Sequence, residues 1–349
     1  SPANGQVNHG DFLSHTLHAH DIADSPEFPA NGLVDHGEFT SLALHLFVGI
    51  FHHNSVKNLN VFTLQRPTSG VFDWVFSYNV LPFHEIVKSV DLGGRLYYLA
   101  WSEIEKCQTF GFASSVSLLP ENSLKPPPLV VSSFQLCGMG HSIYMYNENV
   151  FDEVMPNVQD STFEKEVLRR GVFAYDCETD SWTALPELEK KLGSAGITCD
   201  DRNGLVYMIG GLNRNSGASR FAQRYDPRTE QWTKISPSKH KHPYATCCFQ
   251  AGKLYVISSS SKDSTAAEMY DPVAGRWSSI TRLKKSDKHE RHHLVSYANH
   301  LWAINDSSGI IKMYDEKKWR TVGSPKVAID EFKRNQGIDS CSDLIIDAI

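Results

Sequence analysis

The stretch Tyr225–Trp232, YDPRTEQW, decides the fold, and it recurs as YDPVAGRW at Tyr270–Trp277. Two further copies that begin with Tyr-Asp and end with Trp occur at Tyr175–Trp182 and Tyr314–Trp319. The Tyr-to-Trp distance is seven residues in three copies and five in the last, and successive Trp residues are 50, 45 and 42 positions apart. A unit of this length repeated in register predicts an architecture in which each repeat is one supersecondary structure.

Each repeat has the pattern of a four-stranded antiparallel sheet. An apolar strand such as Ala245–Gln250 comes first, and after a short turn a second strand contains a sequence such as Leu205–Tyr207. A polar loop follows, then a strand ending in Tyr-Asp and a strand opening with Trp. One such sheet cannot bury both of its faces alone, so neighbouring sheets must stack. The Trp is expected to fill the space between them, and the Asp to cap the turn.

Two degenerate repeats precede the four clear ones. Asn60–Gln65 and Trp74–Val80 have the pattern of the last two strands of a unit, and Ile86–Leu92 and Leu96–Trp101 that of the first two strands of the next. The prediction is therefore an all-β, six-bladed β-propeller with a short non-propeller N-terminal segment.

The first blade lacks an innermost strand in this reading. The β-branched tail Leu344–Ile349 could supply it and so remove an exposed sheet edge; a frayed terminus is the alternative.

These repeats resemble the kelch family. Its Gly-Gly doublet occurs in full once, as Gly210-Gly211, and is replaced by Ser258-Ser259 and Ile304-Asn305 in later units. The resemblance is strong over residues 170–322. The Tyr-Asp-Pro pattern looks like that of BTB–kelch and F-box–kelch adaptors of cullin–RING ubiquitin ligases. The resemblance implies a non-catalytic module that binds other proteins and recognises ligase substrates. A cytoskeletal, actin-binding kelch scaffold is an alternative.

The composition changes near residue 56, which suggests a separate N-terminal segment. Residues 1–56 contain no Lys or Arg, six acidic residues and eight His, whereas the rest of the chain holds 34 basic and 34 acidic residues. We expect a leader at 1–41, either EF-hand-like or disordered, and a kelch β-propeller at 42–349. Residues 39–51 fit a helix or a strand equally well.

The leader resembles the second half of an EF-hand loop. PANGQVNHGDFLS at residues 2–14 recurs as PANGLVDHGEFTS at residues 29–41. In the second copy, oxygen ligands for Ca²⁺ would come from Glu27, Asn31, Asp35 and Glu38. Pro29 stands where the family places a ligand, so a relic without metal is the alternative. No other cofactor is expected.

The net charge of −6 gives no reason to expect nucleic acid as a partner, and no apolar run is long enough to span a membrane. The seven Cys residues form no Cys-x-x-Cys motif, which favours free thiols in a reducing compartment and a cytoplasmic location. No hydrolase, P-loop or zinc-protease motif occurs, so we do not expect an enzyme. A divergent kelch-type enzyme similar to galactose oxidase is the remaining alternative.

In kelch proteins, the loops between the second and third strands and the connections between blades form the binding surface. Here these segments are rich in basic and polar residues. The candidate partner-binding residues are Asn213, Arg214, Lys239, His240, Lys241, His242, Lys288, Arg291 and His292. Such a cationic surface suits an acidic or phosphorylated peptide, and its His residues would make binding pH-dependent. Solvated loops without a ligand are the alternative.

Overall fold

The computed structural model describes most of the chain from its first strand onward. The described residues are 43–52, 55–65, 73–81, 85–102, 107–114, 120–128, 134–147, 171–213, 217–258, 264–284, 291–297, 299–305, 310–323 and 344–348. The leader lies outside these ranges, so its EF-hand resemblance and the domain division at residues 41 and 42 stay predictions.

Every regular element in the described residues is a β-strand, and the principal sheets are six in number, each with four antiparallel strands. Sheet 1 holds β1 (Ala43–His52), β2 (Ser55–Gln65), β3 (Asp73–Leu81) and, from the other end of the chain, β28 (Leu344–Ala348). Sheet 2 holds β4 (Glu85–Leu92), β5 (Arg95–Ser102), β6 (Cys107–Ser114) and β7 (Pro120–Leu124). Sheet 3 holds β8 (Phe134–Met139), β9 (Ser142–Asn147), β10 (Val172–Asp176) and β11 (Ser181–Ala184).

The later sheets carry the clear repeats. Sheet 4 holds β12 (Gly196–Asp200), β13 (Leu205–Ile209), β16 (Ala222–Asp226) and β17 (Gln231–Lys234), with a small ribbon of β14 (Leu212–Asn213) and β15 (Gly217–Ala218) beside it. Sheet 5 holds β18 (Ala245–Gln250), β19 (Lys253–Ser258), β21 (Ala267–Asp271) and β22 (Arg276–Ser279), and β20 (Ser264–Thr265) pairs with β23 (Leu283–Lys284). Sheet 6 holds β24 (His292–Tyr297), β25 (His300–Asn305), β26 (Ile311–Tyr314) and β27 (Trp319–Gly323).

The sheets follow one another around a ring. The first strands of sheets 2 to 6 contact each other in turn: β4 contacts β8, β8 contacts β12, β12 contacts β18 and β18 contacts β24. Sheet 6 contacts sheet 1 through β24 and β28, and sheet 1 contacts sheet 2 through β2 and β4. These first strands form the inner wall of a β-propeller, which confirms the prediction of an all-β propeller fold.

The two ends of the described propeller meet in sheet 1. β28 pairs antiparallel with β1, from Leu46 opposite Ala348 to Ile50 opposite Leu344, and it occupies the inner edge of the sheet. Of the two alternatives for the tail, the innermost strand is therefore the one that the structure shows for Leu344–Ala348, and the frayed terminus is not. Residues 43–52 form a strand, so the strand interpretation of this segment holds where the structure describes it.

The core of the molecule lies between neighbouring sheets. All five residues of β13 are buried. Val206 and Met208 pack into the layer shared with sheet 3, whereas Leu205, Tyr207 and Ile209 pack into the layer shared with sheet 5. Since successive side chains of a strand point to opposite faces, a strand covered on both sides is a continuous apolar run.

The Tyr and Trp of each repeat pack against each other. They are opposite one another on the third and fourth strands, and their ring centroids lie 5.0 to 5.2 Å apart in all four copies. Trp232 and Trp277 are buried, whereas Trp182 and Trp319 are partly exposed. The predicted role of the Trp in filling the space between sheets is confirmed most fully for the two buried copies.

Each of these indole N–H groups also donates a hydrogen bond to the connection that leads into its own sheet. The donor-to-acceptor distances are 2.7 to 3.2 Å, and the accepting carbonyls belong to Lys125, Pro186, Ser236 and Thr281. The Trp therefore ties the outer strand of a sheet to the chain entering that sheet.

The Asp after each Tyr caps the turn between the third and fourth strands, as predicted. In Asp271, one carboxylate oxygen accepts hydrogen bonds from the main-chain N–H groups of Val273 at 2.9 Å and Ala274 at 3.0 Å. In Asp315, the main-chain N–H of Lys318 and the guanidinium of Arg320 lower the pKa of the carboxyl to about 2. The capped form is therefore the ionised one.

Candidate functional site

The antiparallel order of the strands brings the connections between sheets and the loops between second and third strands to the same end of the propeller. Ala245 is opposite Ser258, and Ile257 is opposite Ala267, so the start of β18, the end of β19 and the start of β21 meet there. We call this end the loop face. Its described part comprises the connections 185–195, 235–244 and 280–284 with Arg291, and the loop residues 210–213 and 217–221.

One buried carboxylate holds the connection between sheets 4 and 5. Glu268 on β21 is fully buried, and its oxygens accept hydrogen bonds from the main-chain N–H groups of Lys239 at 3.1 Å and His240 at 3.0 Å. Nε2 of His242, also fully buried, lies 2.8 Å from Oε2 of Glu268, and Nδ1 of His240 lies 3.2 Å from Oε1. A buried carboxylate is destabilising unless it is paired, so these contacts determine the path of the connection.

The charge of Glu268 depends on these same contacts. Burial raises the pKa of the carboxyl, whereas the hydrogen bonds from His242 and from the main chain of His240 lower it. The lowering effects together outweigh burial, so the pKa lies below its usual value. Glu268 is therefore ionised at neutral pH. Its negative charge is enclosed by donors and does not face solvent.

Successive side chains of residues 239–242 alternate between facing the interior and facing solvent. His240 and His242 turn inward to Glu268, whereas Lys239 and Lys241 are exposed. The connection thus presents two ammonium groups to solvent, while the two imidazoles attach it to Glu268 in the interior.

The Gly-Gly doublet allows this connection to approach closely. The N–H of Gly211 donates to the carbonyl of His242 at 2.8 Å. Gly210 has a φ of +71°, and a Cβ there would stand 2.5 Å from the same carbonyl oxygen. A Cβ on Gly211 would stand 2.7 Å from the carbonyl oxygen of Gly193 in the preceding connection. Only glycine fits such positions, so the doublet brings two connections of the loop face together.

Tyr244 is the prominent residue that the sequence analysis missed. Its side chain is 46% exposed, and its φ of +50° is unusual for an aromatic residue. The next residue holds it in place, because the N–H of Ala245 donates to the carbonyl of Ser194 at 3.1 Å. The guanidinium of Arg291 lies 5.6 Å from the centre of the Tyr244 ring. This cation–π pair joins the entrances of sheets 5 and 6.

A second group of cations surrounds an aromatic ring between sheets 3 and 4. The ammonium groups of Lys190 and Lys234 lie 5.7 Å and 5.8 Å from the centre of the Phe221 ring. The loop face therefore combines aromatic rings with positive charge at two places.

The structure separates the predicted partner-binding residues into groups. Lys239, Lys241 and Arg291 are exposed, and Asn213 is partly exposed on β14. His240 is partly exposed, with its ring against Glu268.

Two predicted contacts need correction. The imidazole of His242 is fully buried against Glu268, and His292 is only 4% exposed as the first residue of β24. Both side chains are internal, so they cannot contact a partner in this conformation. The sequence showed a run of alternating Lys and His, but it could not show which residues face inward.

The remaining predicted residues lie outside the described ranges. These are Arg214, Lys288 and the proposed Ca²⁺ ligands Glu27, Asn31, Asp35 and Glu38. Within the described ranges, no group of three or more His, Cys, Asp or Glu side chains is placed to hold a metal ion. In the same part of the chain, no helix has the length and apolar character needed to cross a membrane.

Comparison with known proteins gives matches to kelch proteins. A family model described as the Kelch motif matches residues 202–239, which include the Gly-Gly doublet and Trp232. An F-box/kelch-repeat protein of Arabidopsis thaliana is 25% identical over 228 residues, covering 60% of this chain and 50% of that protein. Kelch-like protein 21 of Danio rerio is 32% identical over 118 residues, covering 32% of this chain and 18% of that protein.

These matches cover only part of the relatives, since the chain spans half of the Arabidopsis protein and less of the zebrafish protein. The solved structure of YjhT has a TM-score of 0.51 and 12% identity, covering 81% of this chain and 98% of YjhT. That similarity supports the propeller fold alone. The comparisons lend no support to the EF-hand resemblance of the leader. Together with the sheets and the recurring Tyr-Asp and Trp positions, they show that this chain is similar to kelch-repeat β-propeller proteins, with the match to the family model confined to residues 202–239.

Proposed function

We propose that this propeller is a non-catalytic recognition module whose loop face binds an acidic or phosphorylated segment of another protein. The observation that carries the proposal is the exposed Tyr244–Arg291 pair beside Lys239 and Lys241. Tyr and Arg are the residue types most often found to dominate binding energy at protein interfaces. Arg and Lys side chains bind carboxylates and phosphates through charge-assisted hydrogen bonds.

The rigidity of the loop face supports the same function. Glu268, Gly210 and Gly211 hold the main chain of the connection that carries Lys239, Lys241 and Tyr244, so the points from which these side chains project are fixed before a partner arrives. Pre-organised side chains lose less conformational entropy on binding, which favours affinity.

Relatives named F-box/kelch-repeat and kelch-like proteins support a role in protein interaction. We extend this to substrate recognition for a cullin–RING ubiquitin ligase in the cytoplasm, with the ligase contact made by a region beyond the propeller. Detection of a cullin with the full-length gene product immunoprecipitated from cells would support this part. Recovery of actin without a cullin would contradict it and favour a cytoskeletal scaffold.

Peptide binding tests the loop face directly. Four fluorescent peptides of one sequence would carry Glu, phosphoserine, Ser or Lys at two central positions, and their fluorescence anisotropy would be followed on titration with the chain. We expect the Glu or the phosphoserine peptide to bind more tightly than the Ser peptide, and the Lys peptide to bind most weakly. Replacing Tyr244 with Ala should weaken the favoured peptide about 30-fold, since a central anchor contributes about 2 kcal/mol or more.

Lys318 provides a matched control, because it is exposed at the opposite end of the propeller, in the turn before β27. Lys318→Glu should leave the affinity unchanged, whereas Arg291→Glu should reduce it. Equal affinity of all four peptides, or equal loss in the Lys318 and Arg291 variants, would contradict the proposed site.

A further inference from the structure

Two buried thiols on neighbouring sheets lie very close together. Cys137 on β8 and Cys199 on β12 are 62 residues apart in the chain, yet their Sγ atoms are separated by 2.8 Å. Both residues are free cysteines, and each is 8% exposed. They belong to the apolar layer between sheets 3 and 4, next to Met139 and Ile197.

The Sγ–Sγ distance is longer than a disulfide bond and shorter than an ordinary contact between two sulfur atoms that are not bonded. A disulfide bond has an S–S length of about 2.05 Å, and two sulfur atoms that are not bonded normally stay well beyond 2.8 Å. The two Sγ atoms therefore lie less than about 1 Å beyond bonding distance. β8 and β12 are already in contact along the inner wall, so the main chain has little distance to move.

We propose that Cys137 and Cys199 form a reversible disulfide bond that links sheets 3 and 4 when the protein meets hydrogen peroxide. This inference does not depend on the identity of a binding partner. It adds a site of covalent modification in the wall of the propeller, away from the loop-face residues that carry the proposed recognition.

The chemistry balances with peroxide as the two-electron oxidant. The thiolate of one cysteine attacks the O–O bond and takes one oxygen as a sulfenic acid, and the hydroxide released is protonated to water. The second thiol attacks the sulfur of the sulfenic acid, so that an S–S bond forms, the S–O bond breaks and a second water leaves. Two thiols and one peroxide thus give one disulfide and two waters, and a dithiol reductant reverses the change by thiol–disulfide exchange.

The surroundings make the reaction slow and selective for a small oxidant. Burial raises the pKa of the Cys199 thiol well above its usual value, and the neighbouring Cys137 raises it further. Little thiolate is therefore present at neutral pH, and little sulfur surface is open to a bulky reagent. Once formed, the bond constrains the unfolded chain over the intervening residues, so the oxidised protein should be more stable.

Cys247 offers a matched control from the same region. It lies on β18, is also 8% exposed, and its Sγ is 2.8 Å from the position that a Cβ on Gly196 would occupy. It packs against Gly196 of β12 in the layer between sheets 4 and 5, whereas Cys137 and Cys199 lie in the layer between sheets 3 and 4. A reaction that depended only on burial and peroxide would modify Cys247 as readily as the pair.

The test is peptide mapping of the full chain after peroxide treatment under native conditions, unfolding in denaturant that contains an alkylating agent for the remaining thiols, and proteolysis. We expect a linked peptide that contains Cys137 and Cys199 and is lighter by two hydrogen atoms. It should persist in Cys247→Ser, disappear in Cys199→Ser and disappear when the unfolded chain is treated with dithiothreitol. The oxidised wild-type chain should melt at a higher temperature than the reduced chain, and dithiothreitol should remove the increase.

Mapping of the wild-type chain decides the question even if a variant fails to fold. Absence of the Cys137–Cys199 linked peptide after oxidation would overturn the proposal. A linked peptide that joins Cys247 to either cysteine in its place would overturn it too.

Discussion

At the scale of single residues, the segment Lys239–His242 shows how alternating side chains can serve two purposes. The lysines face solvent, and the histidines meet Glu268, a carboxylate that is fully buried. A buried group with several partners is far more sensitive to substitution than an exposed charge, because its removal leaves those partners unpaired.

Replacing Glu268 with Gln should destabilise the fold by about 3 kcal/mol at pH 7, as measured by urea unfolding. The variant keeps the shape of the side chain but loses the charge that binds two main-chain N–H groups and two imidazoles. Glu230→Gln is the matched control, because Glu230 is exposed in a turn, and it should change the stability by less than about 0.5 kcal/mol.

Glu268→Gln should also change how the free energy of unfolding depends on pH. Because the pKa of folded Glu268 lies below its usual value, the ionised group stabilises the folded state above the pKa of the unfolded chain. This contribution is lost as the pH falls through the folded pKa. Between about pH 6 and pH 3, the free energy of unfolding should therefore fall more in the wild-type chain than in Glu268→Gln. Parallel curves for the two chains would contradict this role.

At the scale of the element, each Trp joins two parts of a repeat through packing and one hydrogen bond. Trp277 is buried, lies 5.0 Å from Tyr270 between ring centroids, and donates to the carbonyl of Ser236 at 2.7 Å. Since Ser236 lies near the start of the connection that carries Lys239 and Tyr244, β22 supports the loop face as well as its own sheet.

Replacing Trp277 with Ala should cost about 3 to 5 kcal/mol of stability, because it leaves a large cavity between sheets 4 and 5. The same change at Trp319 should cost less, because that ring is partly exposed. Urea unfolding of the two variants provides the comparison. Similar losses at both positions would show that burial does not determine the contribution.

At the scale of the whole molecule, the ring depends on a strand from the far end of the chain. β28 is the inner strand of sheet 1 and contacts β24 of sheet 6, so it joins the last sheet to the first. Without it, β1 would present unpaired main-chain groups at a sheet edge, which favours aggregation.

Deleting residues 343–349 should lower the melting temperature by several degrees and increase aggregation, as measured by calorimetry and light scattering. Deleting residues 1–40 is the control, and we expect the propeller to keep its melting temperature in that variant. The opposite ranking of the two deletions would show that the leader, and not β28, completes the ring.

Much of the fold could be predicted from the repeat. The Tyr-Asp and Trp spacing predicted four-stranded sheets, Asp-capped turns and packing of the Trp between sheets, because each depends on local sequence and side-chain size. The weakly patterned tail was the harder case. Its pairing with β1 joins residues 302 positions apart, Leu46 and Ala348, and no local signal specifies such a partner.

The candidate site could be predicted from the sequence only in part. The sequence placed Lys239, Lys241 and Arg291 in connections that the structure brings to the loop face, since the order of strands determines which loops share an end. It gave no sign that Tyr244 is exposed against Arg291, or that His242 and His292 are buried. Exposure depends on how neighbouring sheets approach each other, which is a property of the assembled ring.

By itself, the sequence determined the repeating sheet, its turn and its packing residue, because strand periodicity and turn chemistry act within a few residues. The tertiary structure alone decided the partner of Glu268, the contact of Tyr244 with Arg291 and the approach of Cys137 to Cys199. Each of these joins two sheets, their entrances, or a sheet and the connection beside it, and the distances between these parts are set by the packing of the whole ring.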